Sequence, residues 1–381
     1  MMTAPRFALG HPAPDGPPHQ AELAALADEA WAFHRALPGY APTPVARLDA
    51  LARTLGLGTL ALKDESFRFG LNAFKGLGAS FAVDRWLRTR ARGAGPYTFT
   101  TATDGNHGHA VAWAARMAGH RAVVFVPAHT VPARIARIAG EGAEVRVVHG
   151  EYDEAVQAAD AAARDHGWVL IQDTAYDGYE EIPQWIVGGY TTHCRELEAS
   201  AFAAGAPAAD LALLHAGVGS WAASVVAYLW HRYGARRPRL LIVEPTAADC
   251  LLASAEAGRF AHATGDLRTI MAGLCCGTPS TTAWTMLRDG VDAFMAVPDG
   301  WAEQAMRRLA HPLPGDDRVI AGESGAASVA GLMALMRAPE LAPLRDALGA
   351  GPATRVLVFS TEGDTDPDAW RRITATPPEA P

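Results

Sequence analysis

Lys75 is the one charged residue between Gly70 and Val83, in the run LKDESFRFGLNAFKGLGAS that begins at Leu62. Phe69, Leu71, Phe74 and Leu77 surround it in sequence, and Gly76 and Gly78 allow close backbone approach. A lysine amine desolvated in such a pocket is pushed below its ordinary pKa of about 10.4, because burial penalises the charged form. The neutral amine is then a nucleophile that forms Schiff bases with carbonyl compounds. Surface lysines outnumber functional ones, and taken alone Lys75 reads as a solvated lysine on a helix, so its neighbours and the rest of the chain have to decide.

Two further segments bear on that choice. In TATDGNHGHAVAWAARMAG a polar loop, Thr101 to Asn106, runs directly into a helix expected over Ala110 to Ala118. Backbone N–H groups and short polar side chains in that position suit a polar or anionic ligand, although a plainly capped helix gives the same pattern. Further on, the apolar run Leu211 to Leu214 is followed by HAGVGSWAASVV. Gly217 and Gly219 let the backbone wrap closely, and the new helix aims its first N–H groups at whatever is enclosed, as in a phosphate cradle. The G-x-G-x-x-G spacing and the G-K-[ST] ending are both missing, so neither a dinucleotide turn nor a P-loop is supported.

These segments need a frame to bring them together. Short apolar runs rich in branched residues read as buried strands: Ala122 to Val126, Val145 to Val148, Trp168 to Ile171, Leu211 to Leu214, Leu240 to Val243 and Val356 to Phe359. Helical patterns alternate with them. Ile135 and Ile138 sit at helical spacing before Gly140 and Gly142, and Asp153 to Arg164 is Ala-rich. The alternation predicts an α/β fold of parallel strands joined by helical crossovers, covered on both faces. Loops are marked at Gly16 to Pro18, Ala204 to Asp210 and His311 to Asp317, and the tail Pro377 to Pro381 reads as frayed.

The chain has 381 residues with 33 Lys+Arg against 41 Asp+Glu, a formal balance of −8. That length suggests two domains. At 49% hydrophobic and 19% charged residues the chain is globular and not disordered. An acidic chain without a basic block attracts neither nucleic acid nor an anionic membrane, which leaves small molecules as partners. The first residues lack the apolar core of a secretory signal, so the expectation is a cytoplasmic protein. Leu211 to Trp230 is uncharged over a membrane-spanning length, but His215, Gly217, Gly219, Ser220 and Ser224 fit a buried strand, turn and helix better. Four cysteines cannot build a disulfide framework, and Cys275-Cys276 lacks zinc-ligand spacing; Cys250 and Cys276 could still approach one another. No metal constellation is evident.

A desolvated lysine, an asparagine-bearing loop and a glycine cradle, in that order on an α/β chain, suggest pyridoxal phosphate. The sequence resembles the fold type II pyridoxal-phosphate enzymes, the tryptophan synthase β and threonine dehydratase superfamily, and within them the diaminopropionate ammonia-lyases. The resemblance runs from about Pro42 to Asp366. Its motifs are KDESFRFGLNAFKGLG at Lys63 to Gly78, TDGNHG at Thr103 to Gly108, QDTAYDGYEEIPQWIVGGY at Gln172 to Tyr190, AGVGS at Ala216 to Ser220, TIMAGLCCGTP at Thr269 to Pro279, AGESGA at Ala321 to Ala326 and FSTEGDTD at Phe359 to Asp366.

The resemblance implies two open, twisted, mostly parallel sheets flanked by helices, with the cofactor between a large domain (1–85 and 195–381) and a small one (86–194), in a homodimer. Lys75 would form the Schiff base with pyridoxal phosphate, Asn106 would bond its phenolic oxygen, Gly217, Val218, Gly219 and Ser220 would bind its phosphate, and Ser360 would face its pyridine nitrogen. A neutral hydroxyl stabilises a pyridinium less than a carboxylate does, which favours prompt β-elimination over transamination. Asp104 and Asp173 stand where the family keeps its acid–base groups. Thr103, Asp104, Gly105, His107, Asp173, Glu323 and Ser324 would line the substrate site. Dehydratases of serine and threonine typically carry serine in place of Asp104, and an extra acid suits a substrate with an extra amine. The implied reaction is elimination of 2,3-diaminopropionate to pyruvate and two ammonia. His109, where the family usually has arginine, and Thr278, where it often has an acid, keep open a β-eliminase or dehydratase acting on serine, threonine or another β-substituted amino acid. A non-catalytic relative that binds the cofactor is the remaining reading, and the intact Lys75, Asn106 and glycine turn oppose it.

Overall fold

A computed structural model describes residues 4–93, 95–103, 105–150, 152–200 and 209–378. Asp104, most of the loop expected over Ala204 to Asp210 and the last three residues of the tail lie outside the described residues.

The described residues hold strands β1 (Arg6–Leu9), β2 (Val45–Arg47), β3 (Thr59–Asp64), β4 (Thr98–Ala102), β5 (Arg121–Pro127), β6 (Glu144–Val148), β7 (Val169–Leu170), β8 (Leu211–His215), β9 (Arg239–Pro245), β10 (Ala293–Val297) and β11 (Arg355–Ser360). They form a seven-stranded sheet in the order β1-β10-β9-β8-β11-β3-β2 and a four-stranded sheet in the order β6-β5-β4-β7. Every pairing is parallel except at the two edges of the larger sheet, where β1 runs antiparallel to β10 and β2 to β3. Helices cover both faces, which is why β8 and β10 are buried at every residue and read as unbroken apolar runs. The uncharged stretch from Leu211 resolves into β8, the glycine turn and the helix Ser220–Tyr233. No helix among the described residues is long and apolar enough to cross a membrane.

All four strands of the smaller sheet fall between Thr98 and Leu170, inside the segment expected to form the small domain. The boundary expected after residue 85 falls within the continuous helix Gly76–Arg90. That helix packs on the helices Asn106–Met117 and Glu181–Tyr190 and so spans the join between the sheets.

Beneath the lysine segment lies a buried ionic cluster. Lys63, on β3, is fully buried and places its Nζ 2.7 Å from Glu196 Oε2; Arg68 reaches Glu196 Oε1 at 2.7 Å and Glu65 Oε1 at 2.9 Å. Thr43 completes it, its hydroxyl donating to Glu65 at 2.6 Å and its carbonyl accepting from Lys63 at 2.7 Å. Two cations meet two carboxylates, so the charges cancel locally. Such a cluster adds little over apolar packing, but losing one member leaves a buried charge uncompensated. Its geometry fixes β3 against the helix Thr192–Ser200 just upstream of Lys75. Glu196→Ala leaves Lys63 and Arg68 with only Glu65, and is expected to cost about 3–5 kcal/mol in urea unfolding. Asp210→Ala, which breaks the exposed pair with Arg355, is expected to cost less than about 1 kcal/mol.

Candidate active site

Residues that follow the carboxyl ends of β3, β4, β7, β8 and β11 converge on one cavity, as expected for ligands in open parallel sheets. Its wall includes Lys75, Thr103, Gly105, Asn106, His107, Asp173, the turn Gly217 to Ser220, and Ser324. The structure therefore brings together most of the residues singled out in the sequence.

Lys75 directly precedes the helix Gly76–Arg90, and its Nζ contacts Asp173 Oδ2. The rings of Phe74 and Tyr190 stand 5.2 and 5.9 Å from the same nitrogen. The desolvation expected from the sequence is present and works to lower the Lys75 pKa. The Asp173 carboxylate outweighs it, so the amine is held above its ordinary value and stays protonated, contrary to the sequence expectation. Apolar neighbours along the chain could not reveal a carboxylate 98 residues away.

Burial also works to raise Asp173, but the His107 ring and the Lys75 ammonium hold its carboxyl down at about 2. The Asp173 backbone is fixed by Ser220, whose hydroxyl donates to its carbonyl at 2.6 Å. His107 is pinned by a 2.7 Å bond from Nε2 to the Ile171 carbonyl, which assigns the proton to Nε2 and turns Nδ1 toward Asp173, 3.7 Å away. Burial works to lower the His107 pKa, the Asp173 carboxylate opposes it, and the net shift is downward.

Asn106 opens the helix Asn106–Met117, four residues earlier than the sequence pattern suggests. Its Nδ2 donates to Glu362 Oε2, while its Oδ1 is buried without a hydrogen-bond partner. Ahead of it, Gly105 has φ +149°, and a Cβ there would lie 2.7 Å from Arg134 Cδ, so only glycine fits. The cradle makes a similar demand. Gly219 has φ +97°, and a Cβ on Gly217 would lie 2.9 Å from Cys276 Sγ. Cys250 donates to the Gly217 carbonyl at 3.8 Å; it and Cys276 thus flank the same glycine, and both are free thiols.

Two residues stand apart from the sequence expectation. Ser360 is fully buried behind the wall and donates to the Glu362 carbonyl at 3.2 Å, while Thr361 and Glu362 face the cavity. Glu323 lines a second, adjoining cavity. His109 contacts Glu141 at 3.2 Å and Thr278 contacts His262 at 3.0 Å, both away from the cavity wall. Sequence reasoning passed over His215, Arg134, Tyr152, Thr361 and Glu362. His215 bonds Ser328 and Thr361, each at 2.6 Å, and burial lowers it to about 3, so it is a neutral link in the wall. A histidine closing an otherwise apolar strand was the available signal.

Residues 36–348 match the family described as pyridoxal-phosphate dependent enzyme. The diaminopropionate ammonia-lyase of Salmonella typhimurium is 42% identical over 366 residues, covering 91% of each chain. That of Escherichia coli K12 is 40% identical over 356 residues, covering 90% of this chain and 89% of its own. Among solved structures, diaminopropionate ammonia lyase from Escherichia coli in complex with an aminoacrylate-PLP azomethine reaction intermediate superposes with a TM-score of 0.85 at 36% identity, covering 98% of this chain and 97% of that one. A tomato threonine deaminase isoform, at 17% identity and a TM-score of 0.77 over 98% of both chains, shares the fold. The chain belongs to the pyridoxal-phosphate dependent enzymes, in the family of the diaminopropionate ammonia-lyases.

Proposed function

We propose that the protein catalyses the pyridoxal-phosphate-dependent α,β-elimination of 2,3-diaminopropionate to pyruvate and two ammonia. The contact of Lys75 with Asp173 in a glycine-cradled cavity carries this reading, and the identity to diaminopropionate ammonia-lyases over nine-tenths of the chain supports the substrate. His109 and Thr278, the departures that favoured other β-substituted substrates, lie off the cavity wall and leave the substrate reading undisturbed.

The residues present fit the cofactor. The turn at Gly217 and Gly219 has no room for a Cβ and opens the helix Ser220–Tyr233, so its N–H groups suit a phosphate. The amide of Asn106 has one N–H left after Glu362, which suits a phenolic oxygen. When bound, pyridoxal phosphate supplies an aldehyde for amines and a conjugated ring that takes up the electron pair released at Cα.

Lys75 Nζ attacks only when neutral, so its ammonium, held charged by the Asp173 carboxylate in contact with it, must first give up a proton. Asp173 is ionised at any working pH and is assigned the proton at Cα. The Ser220 hydroxyl holds the Asp173 backbone in place beside Lys75. Asp104 is assigned the opposite face of Cα, or the β-ammonium, on the family resemblance. The aromatic rings of Phe74 and Tyr190 keep water from Nζ. The same resemblance supports a homodimer, which size-exclusion chromatography with light scattering tests.

The purified, cofactor-loaded protein is expected to release two ammonia per pyruvate from D- or L-2,3-diaminopropionate, with little from serine or threonine. No turnover of diaminopropionate, with the lysine-bound cofactor absorption intact, rejects the assignment. Lys75→Ala is expected to lose that absorption band together with turnover. Asp173→Asn is expected to lower kcat by about 10²–10⁴-fold while retaining the band. Equal loss of the band in both variants argues that Asp173 only supports the fold.

A further inference from the structure

The second cavity adjoins the first across Arg134 and Tyr152, which belong to the walls of both. Glu323 lines the second cavity and is only 4% exposed, yet its Oε2 has no hydrogen-bond partner. A buried carboxylate oxygen left without a partner is costly, and one that persists facing a cavity invites a ligand that completes it.

Its placement is rigid. The next residue, Ser324, lines the cofactor cavity; its N–H donates to Glu362 Oε1 at 3.2 Å and its hydroxyl accepts from Gly273 N–H at 2.9 Å. On either side, a Cβ on Gly322 would lie 2.3 Å from the Gly363 carbonyl and one on Gly325 would lie 2.2 Å from the Glu362 carbonyl, so the loop is seated tightly on the end of β11. The second cavity carries both signs, with Arg268 and Arg372 as well as Asp153 and Asp366 in its wall, and the carboxylates act on Glu323 more strongly. Burial first, then Glu362, pushes the Glu323 carboxyl up to about 7, with Asp366 adding to the effect and Arg134 opposing it. A cation arriving there relieves both the missing partner and the crowding of like charge.

We propose that Glu323, in the cavity adjoining the cofactor site, recognises the second ammonium group of a diamino acid and so helps to separate 2,3-diaminopropionate from serine. The proposal rests on the elimination reading above for its choice of substrate. Serine carries a neutral hydroxyl where 2,3-diaminopropionate carries an amine, so it gains nothing from a carboxylate there. A site built to pair a charged group discriminates strongly against an analogue that lacks it.

The test uses cofactor-loaded Lys75→Ala, which binds without turning over, alone and combined with Glu323→Gln. Each is titrated with 2,3-diaminopropionate and with 2-aminobutyrate, a near-isostere without the second amine, following the cofactor absorption. Lys75→Ala is expected to prefer the diamino acid by about tenfold or more, and Glu323→Gln to remove that preference by weakening this ligand alone. In the enzyme with Lys75 intact, Glu323→Gln raises KM for diaminopropionate and leaves that for serine unchanged, and Glu323→Asp recovers part of the loss. No preference in Lys75→Ala, or equal weakening of both ligands, overturns the proposal. A preference for the diamino acid in binding, with no turnover of it by the wild-type enzyme, rejects the elimination reading and leaves the role of Glu323 standing.

Discussion

The contact between Lys75 and Asp173 constrains everything around it. A buried ammonium or a buried carboxylate alone would shed its charge, and each is kept ionised by the other. The pair serves only while its geometry holds, because each charge is stable in that buried space only with the other in contact. The supports follow from that need. The helix Gly76–Arg90 sets the backbone at Lys75, Ser220 sets that of Asp173, and the ionic cluster at Lys63, Glu65, Arg68 and Glu196 fixes the strand from which the lysine segment departs.

Parallel topology makes the convergence possible. Strands running the same way send their following loops to one end, so segments far apart in sequence meet without long excursions. Glycine appears where those loops crowd. Gly105 yields to Arg134, and Gly217 yields to Cys276. Ser220 shows the economy of the arrangement: its N–H belongs to the helix start in the cradle, while its hydroxyl is committed to the Asp173 carbonyl. The turn proposed to hold the cofactor thereby also holds the proposed base.

Fold class was legible because burial on both faces leaves an unmistakable apolar run in strands such as β8 and β9. Where burial rests on polar pairing the signal vanishes. β3 ends in Lys63 and Asp64, and β4 reads TFTTA, and both are buried strands without an apolar signature. The lysine, the asparagine, the cradle and Asp173 were legible as motifs, and the cavity gathers them. What could not be read was which charges meet. The direction of the Lys75 shift depends on a partner brought from another sheet, and the position of Ser360 behind the wall depends on the turn that presents Thr361 and Glu362 in its place.

That same turn alters how the cavity's charges must be understood. Lys75 and Arg134 are the cationic side chains in the cavity wall, and neither belongs to the glycine turn. A phosphate held at that turn is therefore met by backbone N–H groups and the dipole of the helix Ser220–Tyr233, which cannot be titrated away. Lys75 stands instead against Asp173, and Arg134 at the junction with the outer cavity. Glu362 stands against Asn106, so a carboxylate orients the amide proposed to meet the phenolic oxygen. Fixed dipoles thus take the permanent charge of the cofactor, and the ionisable side chains are kept for groups whose charge changes during the reaction. This division lets Asp173, the proposed base, stay ionised in the buried space assigned to an anionic cofactor.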